Sequence, residues 1–476
     1  MVKAIRRFAA VVAALSVALP SGAQMRVELP VAPVGGLSVP LTPFTSFSAP
    51  ALTASPLSMP SLAPSLTPSL APVAAVPVPA SLTESRAYFD GAASKPEPLM
   101  ADPEPARPLR GETVTLNGVN LPARMWSDKT AISQQLIAAI DASRVSIDIA
   151  IHGLALREVM AALVAAKKRG VKIRIVMNQT HVWPEKQRDT RTPEVQQLID
   201  LGFDIKMLRG GDMFGVMHNK IAIFDGQILE TGSYNWTHAA DAWHWENAMF
   251  HAEQARIKAY QEYWNWMWSI AAKIGTKAPP LPTPIPEGEP HPGLPAAPQD
   301  AARPITFNGS DFPAQAFSPG GVTAHLVRAI DASRVSIDLA NFSFTNEELR
   351  DALLRAKERG VKVRIVFDAQ QYRYLSEMGW FAEQGFDVLI SAGKDGQKGV
   401  MHNKFAVFDG KLVEAGSFNW TRNGEKNNYE NAMFLDAPDD TAGFAAYFER
   451  IRDQAWVPGP GDHAAPRPED FDHRAF

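Results

Sequence analysis

One long pattern occurs twice in the chain, and this duplication constrains the fold more than any other feature. The first copy occupies residues 216–237 (VMHNKIAIFDGQILETGSYNWT) and the second occupies residues 400–421 (VMHNKFAVFDGKLVEAGSFNWT). Each copy is followed at the same distance by Glu-Asn-Ala-Met-Phe, at 246–250 and 430–434. Histidine, lysine, serine, asparagine and glutamate at fixed spacing suit phosphate binding and proton transfer better than a hydrophobic core. The duplication therefore predicts two equivalent halves that both contribute to the chemistry.

The shared pattern H-x-K-x4-D-x6-G-S-x-N resembles the signature of the phospholipase D superfamily. Its polar positions are His218, Lys220, Asp225, Ser233 and Asn235 in the first copy and His402, Lys404, Asp409, Ser417 and Asn419 in the second. The resemblance extends over roughly residues 113–275 and 305–457. The compact halves are also similar to the small bacterial endonucleases of this superfamily.

The resemblance implies a mechanism and a fold. One motif histidine attacks phosphorus and forms a phosphohistidine, while the other protonates the leaving oxygen. In tandem members the N-terminal copy usually attacks, which implies His218 as nucleophile and His402 as general acid. Lys220 and Lys404 stabilise the charge, and neither a cofactor nor a metal is needed. The implied fold is two tandem phospholipase D-like α/β sandwich halves that form a pseudo-two-fold dimer within one chain.

The residues themselves support a phosphate site. Residues two apart on a strand face the same side, so His218 and Lys220 point together, as do His402 and Lys404. A lysine on that face is costly to bury unless an anion accompanies it. Metal-ligand spacings of histidine and carboxylate are absent from the sequence, and we therefore expect no metal.

The other residues that occur at the same spacing in both copies have distinct predicted roles. Glu246 and Glu430 are natural partners for the second nitrogen of a histidine, where a carboxylate fixes the tautomer and raises basicity. The substrate-binding candidates are Ser233, Asn235, Ser417 and Asn419. The structural candidates are Asp225 and Asp409, since each precedes glycine in a predicted type I′ turn.

Further stretches repeat and define the secondary structure of each half. Residues 139–148 recur letter for letter at 329–338, and residues 167–176 recur with two changes at 357–366. Strands that alternate with helices and end in a hairpin predict a mixed α/β sandwich per half. In the first half the predicted helices cover 131–142, 156–169, 192–201 and 252–273, and the predicted strands cover 145–151, 171–177, 204–208, 218–224 and 228–231.

Two aromatic segments of the first half have no counterpart in the second, and the sequence leaves their roles open. Trp266 lies off the core face of the last helix, where it would contact lipid, the linker or the other half. Trp243, His244 and Trp245 precede Glu246 and form either a wall for the substrate or a packed loop.

The ends of the chain are not part of the duplication. Lys3, Arg6 and Arg7 precede an apolar run at 8–19 and the small residues 21–23, which is typical of a secretory signal. That run is shorter than the ~20 apolar residues of a membrane anchor. The predicted organisation is a signal peptide over 1–23, a disordered Pro/Ser/Ala-rich leader over 24–110, a first half over 111–275, a Pro-rich linker over 276–304, a second half over 305–457 and a disordered tail over 458–476.

Composition excludes some functions. The 476 residues contain no cysteine, so thiolate metal sites and cysteine nucleophiles are excluded. The formal net charge of −4 gives no global field that would attract nucleic acid. We therefore expect a secreted or periplasmic phosphodiesterase that acts on phospholipid head groups, with peripheral membrane contact and no obligate oligomer. A metal-independent nuclease that cleaves DNA or RNA is the alternative.

Overall fold

The computed structural model describes residues 113–185, 188–212, 214–280, 294–394, 396–459 and 462. The predicted signal peptide and leader, and most of the predicted tail, lie outside the described residues. Within the described ranges, every helix is too short or too polar to cross a bilayer.

The first half begins with three short strands and continues as alternating strands and helices. Its strands are β1 (Thr113–Leu116), β2 (Val119–Pro122), β3 (Arg124–Trp126), β4 (Ser146–Ile151), β5 (Lys172–Asn178), β6 (Asp204–Leu208), β7 (Lys220–Phe224), β8 (Ile228–Gly232), β9 (Asn247–His251) and β10 (Ala272–Lys273). Its helices are α1 (Ile132–Ala142), α2 (Arg157–Lys168), α3 (Gln179–Val182), α4 (Pro193–Asp200), α5 (His238–Ala242) and α6 (Gln254–Ile270).

The second half repeats this order. Its strands are β11 (Ile305–Phe307), β12 (Ser310–Phe312), β13 (Gln315–Ser318), β14 (Ser336–Asn341), β15 (Lys362–Asp368), β16 (Asp387–Gly393), β17 (Gly396–Val400), β18 (Lys404–Phe408), β19 (Leu412–Gly416) and β20 (Glu430–Leu435). Its helices are α7 (Val322–Ala332), α8 (Glu347–Glu358), α9 (Ala369–Tyr374), α10 (Ser376–Glu383), α11 (Arg422–Lys426) and α12 (Pro438–Asp453).

Each half contains one mixed sheet of eight strands. The orders are β10-β6-β5-β4-β7-β8-β9-β3 and β13-β20-β19-β18-β14-β15-β16-β17. In the first sheet β4, β5 and β6 are parallel, whereas β7, β8 and β9 form an antiparallel meander next to β4. The motif strands β7 and β18 lie beside β4 and β14, near the middle of their sheets. The predicted α/β sandwich with a terminal hairpin is confirmed in both halves.

Helices cover one face of each sheet because their apolar residues recur at helical spacing. In α1, Leu136 and Ile140 are fully buried against the sheet core, and in α2 Val159 and Leu163 are buried in the same cluster. Gly170 follows α2 with a φ of +91°, the left-handed conformation that ends helices. The equivalent helices α7 and α8 pack in the same way in the second half.

The other face of each sheet is buried against the other half. Ile221 and Ile223 of β7 belong to the same buried cluster as Phe405 and Val407 of β18. The terminal helices α6 and α12 add aromatic side chains from both sides, and the buried ones include Tyr260, Tyr263, Trp264, Phe444, Tyr447 and Phe448. The two halves therefore share a central hydrophobic core, which confirms the pseudo-dimer within one chain.

Some element bounds differ from the predicted ones. The last helix of the first half ends at Ile270, and residues 272–273 instead extend the sheet as β10 against β6. The motif strand begins at Lys220 rather than at His218. The hairpin after it has three loop residues, 225–227, rather than the two of the predicted type I′ turn, since Phe224 pairs with Ile228.

Two short hairpins are absent from the predicted elements. β1–β2 and β11–β12 each turn through an Asn-Gly pair, Asn117-Gly118 and Asn308-Gly309, whose four φ angles are all positive. Asn-Gly is the strongest short hairpin signal, so the sequence contained the information. Their flanking strands are too short to show alternation.

Candidate active site

The two motif histidines face each other between the halves. The ring centroids of His218 and His402 are 6.3 Å apart, and both side chains are almost completely buried. Each lies two residues before the first residue of its motif strand. Both rings are close enough to contact one phosphoryl group.

Each histidine is held by the glutamate of the opposite half. His218 Nδ1 lies 2.8 Å from Glu430 Oε2, and His402 Nδ1 lies 2.9 Å from Glu246 Oε1. A carboxylate at Nδ1 fixes the tautomer and leaves Nε2 for chemistry. The Nε2 atom of His402 is buried without a hydrogen-bond partner among the described residues, as expected of an atom that meets substrate. Each His-Glu pair therefore contains one residue from each half.

Backbone pairing between the halves sets this crossed arrangement. Met217 forms a parallel bridge with Tyr429, and Trp245 forms the equivalent bridge with Met401. The His218 N–H donates to the Tyr429 carbonyl at 3.0 Å, and the His402 N–H donates to the Trp245 carbonyl at 3.1 Å. Because each glutamate directly follows one of these bridged residues, it is placed beside the histidine of the other half.

A second layer of crossed contacts lies behind the histidines. The Asn431 amide donates to Asn219 Oδ1 at 2.9 Å, and the Asn247 amide donates to Asn403 Oδ1 at 2.8 Å. Each pair joins the residue after a motif histidine to the residue after the other half's glutamate. These asparagines did not appear among the predicted site residues, although their repetition in both copies was a signal.

The two motif lysines are completely buried in the same site. Lys220 Nζ donates to the His218 carbonyl at 2.6 Å, and Lys404 Nζ donates to the His402 carbonyl. Burial lowers the pKa of Lys220 to about 7 and lowers the pKa of Lys404 well below its usual value. An ammonium has three donors. The backbone carbonyl accepts from one of these donors. An anion bound in the site would raise the pKa of each lysine and restore the charged ammonium.

Burial also keeps the histidines neutral. It lowers the pKa of His218 well below its ordinary value, and the neighbouring Lys220 and His152 lower it further. Burial lowers the pKa of His402 to about 3, although the adjacent Glu246 opposes this shift. A neutral imidazole has a free lone pair, which a nucleophile requires.

The two glutamates differ in their surroundings. Burial opposes ionisation of Glu246, but His402 and His244 outweigh it and lower the pKa of this carboxyl below its usual range. Burial raises the pKa of Glu430 to about 7, although Lys220 and the hydrogen bonds from Ser417 and Asn428 oppose this shift. The two equivalent His-Glu pairs, called dyads below, are therefore electrostatically unequal.

The motif serines are buried and hydrogen-bonded to the glutamates. The Ser233 hydroxyl donates to Glu246 Oε2 at 2.5 Å, and the Ser417 hydroxyl is hydrogen-bonded to Glu430. A hydroxyl has one proton to donate, and Ser233 donates it to Glu246, so in this structure Ser233 positions the carboxylate; substrate binding by the two serines stays a prediction. The preceding Gly232 is required because a Cβ there would lie 2.3 Å from the Asn247 carbonyl oxygen.

The motif asparagines remain candidates for substrate binding. Asn235 and Asn419 are 9% and 7% exposed, so their amides are only just reachable from solvent. The Oδ1 atom of each is buried without a hydrogen-bond partner among the described residues. These amide oxygens at equivalent positions of both halves can each accept a hydrogen bond from a ligand, while the amide N–H groups can donate to one.

The motif aspartates lie at the other end of their strands. Asp225 accepts backbone N–H groups of Val145 and Ser146 at 2.8 and 2.9 Å, and Asp409 accepts the equivalent groups of the second half. These bonds lower the pKa of both carboxyls, although partial burial opposes the shift. The aspartates anchor the hairpin to the preceding strand and lie away from the histidines.

One further histidine enters the site from the first half alone. The ring of His152 lies 5.0 Å from that of His218, and Phe342 occupies the equivalent position 4.9 Å from His402. The Lys404 ammonium lies 4.7 Å from the centroid of the Phe342 ring. Sequence reasoning missed His152, although the alignment of the repeat at 139–148 and 329–338 places it opposite Phe342.

The unmatched aromatic residues pack against the second half. Trp266 lies 5.6 Å from Tyr429 and 5.8 Å from Tyr263 between ring centroids, so it contacts the other half. Trp245 is 1% exposed and forms the bridge to Met401.

Among the described residues, the side chains that group as potential metal ligands are His244, Glu246 and His402.

One family profile matches both halves of the chain. The profile of the family described as "Cardiolipin synthase, PLD-like domain" matches residues 136–268 and again residues 326–452. The matched ranges cover more than half of the chain and coincide with the two halves. Each match contains one motif histidine, one motif lysine and the glutamate that follows the motif.

Individual relatives match shorter stretches. The chain is 36% identical over 140 residues to the mitochondrial cardiolipin hydrolase of Homo sapiens, with 29% of this chain and 54% of the relative covered. It is 32% identical over 118 residues to a phospholipase D of Rickettsia prowazekii, with 25% of this chain and 56% of the relative covered. The chain thus spans about half the length of these relatives.

Among solved structures, the phosphatidylserine synthase of Haemophilus influenzae superposes with a TM-score of 0.53. The superposition covers 71% of this chain and 87% of that one at 10% identity. At this identity the match concerns the fold alone, and it includes both halves.

Proposed function

The chain belongs to the family of phospholipase D-like domains, and on this basis we propose that it hydrolyses phosphodiester bonds of phospholipids. The observation that carries the proposal is the crossed pair of dyads: two buried imidazoles face each other at 6.3 Å, each with a carboxylate at Nδ1. Two buried lysines supply positive charge beside them. This set provides a nucleophile, an acid and an electrophile without further groups.

The first step forms a covalent intermediate. The Nε2 lone pair of His218 attacks phosphorus, and the bond between phosphorus and the leaving oxygen breaks. His402, protonated once the anionic substrate is bound, gives its Nε2 proton to that oxygen, and the alcohol departs. Lys220 and Lys404 neutralise charge on the non-bridging oxygens. Asn235 and Asn419 donate their amides to the same oxygens.

The second step returns the enzyme to its starting state. His402 is now neutral and takes a proton from water, whose oxygen attacks phosphorus as the phosphorus–nitrogen bond breaks. Glu246 stabilises the imidazolium that forms, and Ser233 holds Glu246 in place. Glu430 orients His218 throughout through its contact at Nδ1.

Phospholipids are favoured over nucleic acids as the substrate class. Relatives that match the chain include a cardiolipin hydrolase and a phospholipase D. The net charge of −4 offers little attraction for a polyanion. We therefore propose transient contact with a membrane surface during turnover.

The experiment offers both substrate classes under the same conditions. Purified protein is incubated with vesicles of phosphatidylcholine or cardiolipin and, separately, with plasmid DNA and single-stranded RNA, all in excess EDTA. We expect release of head-group alcohol from vesicles and intact nucleic acids. Cleavage of nucleic acid without lipid turnover would instead establish the nuclease alternative. Loss of activity in EDTA that zinc or magnesium restores would contradict the metal-free mechanism.

We also propose that the protein is exported. The support is the basic and apolar order of residues 1–23, which lie outside the described structure. Expression in a bacterial host followed by N-terminal sequencing of the exported material tests this directly. Export with a mature N-terminus after Ala23 is expected, and retention of an uncleaved chain in the cytoplasm would contradict it.

A further inference from the structure

His244 breaks the equivalence of the two dyads at a position next to the reacting groups. In the second half Asn428 occupies its place and donates to Glu430 Oε1 at 3.0 Å. In the first half, His244 Nδ1 lies 3.6 Å from Glu246 Oε1, beyond hydrogen-bond distance. This Nδ1 atom is buried without a hydrogen-bond partner among the described residues. Glu246 is therefore bordered by two imidazoles, from His244 and His402.

The spacing of these three side chains suits one small cation. Donor atoms of His244, Glu246 and His402 all lie within 4.8 Å of one another. Bonds of ~2.0–2.2 Å in a tetrahedral zinc site place its ligands about 3.3 Å apart. The two distances to Glu246 Oε1, 2.9 Å from His402 and 3.6 Å from His244, bracket that value.

We propose that His244, Glu246 and His402 form a zinc site, and that zinc bound there reversibly inhibits the enzyme. Two histidines and one glutamate form a known zinc ligand set, with water in the fourth position. Magnesium and calcium prefer oxygen ligands and do not compete for this site. The His244 side chain is 14% exposed, whereas Glu246 is completely buried, so zinc reaches the site from the side of His244.

Occupation of the site removes His402 from the reaction. Zinc takes the Nδ1 lone pair of His402, and the ring proton then resides on Nε2. The Nε2 atom can no longer accept a proton from water, and a neutral zinc-bound imidazole is a much weaker acid than an imidazolium. Glu246 is coordinated at the same time and no longer supports His402. The inhibition rests on the function proposed above, whereas the binding does not.

The test compares three forms of the full-length protein by calorimetric titration with zinc chloride. His244→Asn reproduces the residue of the second half, and His152→Phe is the matched control that removes another histidine of the same site. Residues that only orient metal ligands contribute about 10–100-fold to metal affinity. Loss of a ligand should therefore lower the zinc affinity at least about 100-fold. We expect that loss for His244→Asn and an unchanged zinc affinity for His152→Phe.

Turnover is measured in parallel in zinc-buffered solutions, relative to the zinc-free rate of each variant. Wild type should be inhibited by zinc and not by magnesium, EDTA should reverse the inhibition, and His244→Asn should resist it. Equal zinc affinity or equal inhibition of wild type and His244→Asn would overturn the proposal, as would binding without inhibition. His244→Gln and circular dichroism identify a folding defect. If wild type turned over no substrate, calorimetry would still decide the binding.

Discussion

The two halves have the same motif and the same fold, but the neighbours of their histidines differ. His218 lies beside the imidazole of His152, and its Glu430 is hydrogen-bonded to an amide. His402 packs against the phenyl ring of Phe342, and its Glu246 borders a second imidazole. The duplicated residues provide the chemistry, while the unduplicated ones distinguish the two histidines. Such a difference is expected because attack and leaving-group protonation are separate tasks.

The largest expected effect comes from removing either histidine. His218→Ala and His402→Ala should each lower kcat by at least about 10³-fold, since nucleophile and acid act as a unit. Head-group release from vesicles measures this, with the exposed His238→Ala as a control that retains activity. Near-normal activity of either variant would contradict a site shared by both halves.

A nitrophenyl phosphodiester then separates the two roles. Its leaving group has a low pKa and needs little protonation, so His402→Ala should retain more activity than His218→Ala. The His402→Ala variant should also accumulate the esterified phosphoryl group of the substrate on His218, which mass spectrometry of peptides locates. The same group on His402 in the reciprocal variant would reverse the assignment.

The pH dependence tests the buried lysines. Burial lowers the pKa of Lys220 to about 7, so the free enzyme loses this positive charge as pH rises through that value. We expect kcat/KM to fall about tenfold per pH unit above pH 7. The profile of kcat should stay flat to higher pH, because bound phosphate raises the pKa. Coincident profiles of kcat and kcat/KM would contradict this role.

A smaller effect is expected at the position where the halves differ. His152→Phe gives His218 the neighbour that His402 has, and removes a polar group that can reach the bound phosphate. A hydrogen bond to a charged group contributes about 1.5–3 kcal/mol, so kcat/KM should fall by about 10–100-fold. Phe342→Leu is the matched control, with a smaller loss expected. Equal losses would indicate a packing role for His152.

The last effect concerns stability rather than activity, and it arises at a buried carboxyl away from the site. Glu230 has no hydrogen-bond partner among the described residues, whereas the equivalent Glu414 accepts from Trp420 Nε1 at 3.3 Å. Burial raises the pKa of Glu230 from 4.5 to about 8, so the folded state binds an extra proton between these values. Stability should therefore fall as pH rises through this window, by about 1.4 kcal/mol per unit at most.

Glu230→Gln should remove that part of the pH dependence. Urea unfolding of the wild type and the variant at pH 5 and pH 8 measures the difference. An identical pH dependence in both proteins would show that Glu230 is ionised or solvated in the fold.

Much of the fold could be predicted because its signals are local. The alternation of β7 and β18, the helix-ending Gly170 and the exact repeat at 139–148 and 329–338 each depend on neighbours in sequence. The two complete motifs in one chain also predicted that the two halves pack together, which the shared central core confirms. The short strand β10 was missed because it exists only through its pairing with β6.

The composition of the site could be predicted, but its pairing could not. Glu246 and Glu430 were expected to contact histidines, yet the sequence could not tell which one each would reach. The answer depends on the bridges of Trp245 and Tyr429 to the other half, which are contacts between residues distant in sequence. The serines illustrate the same limit, since Ser233 faces Glu246 only because β8 and β9 are paired.

The crossed pairing is the central claim, and the nitrogen resonances of the histidine side chains test it most directly. Protein labelled with ¹⁵N is compared with Glu246→Gln and Glu430→Gln, and His218→Ala and His402→Ala provide the assignments. Glu246→Gln should shift the Nδ1 resonance of His402 and leave that of His218 in place, and Glu430→Gln should do the reverse. A shift of the histidine from the same half in either variant would contradict the account.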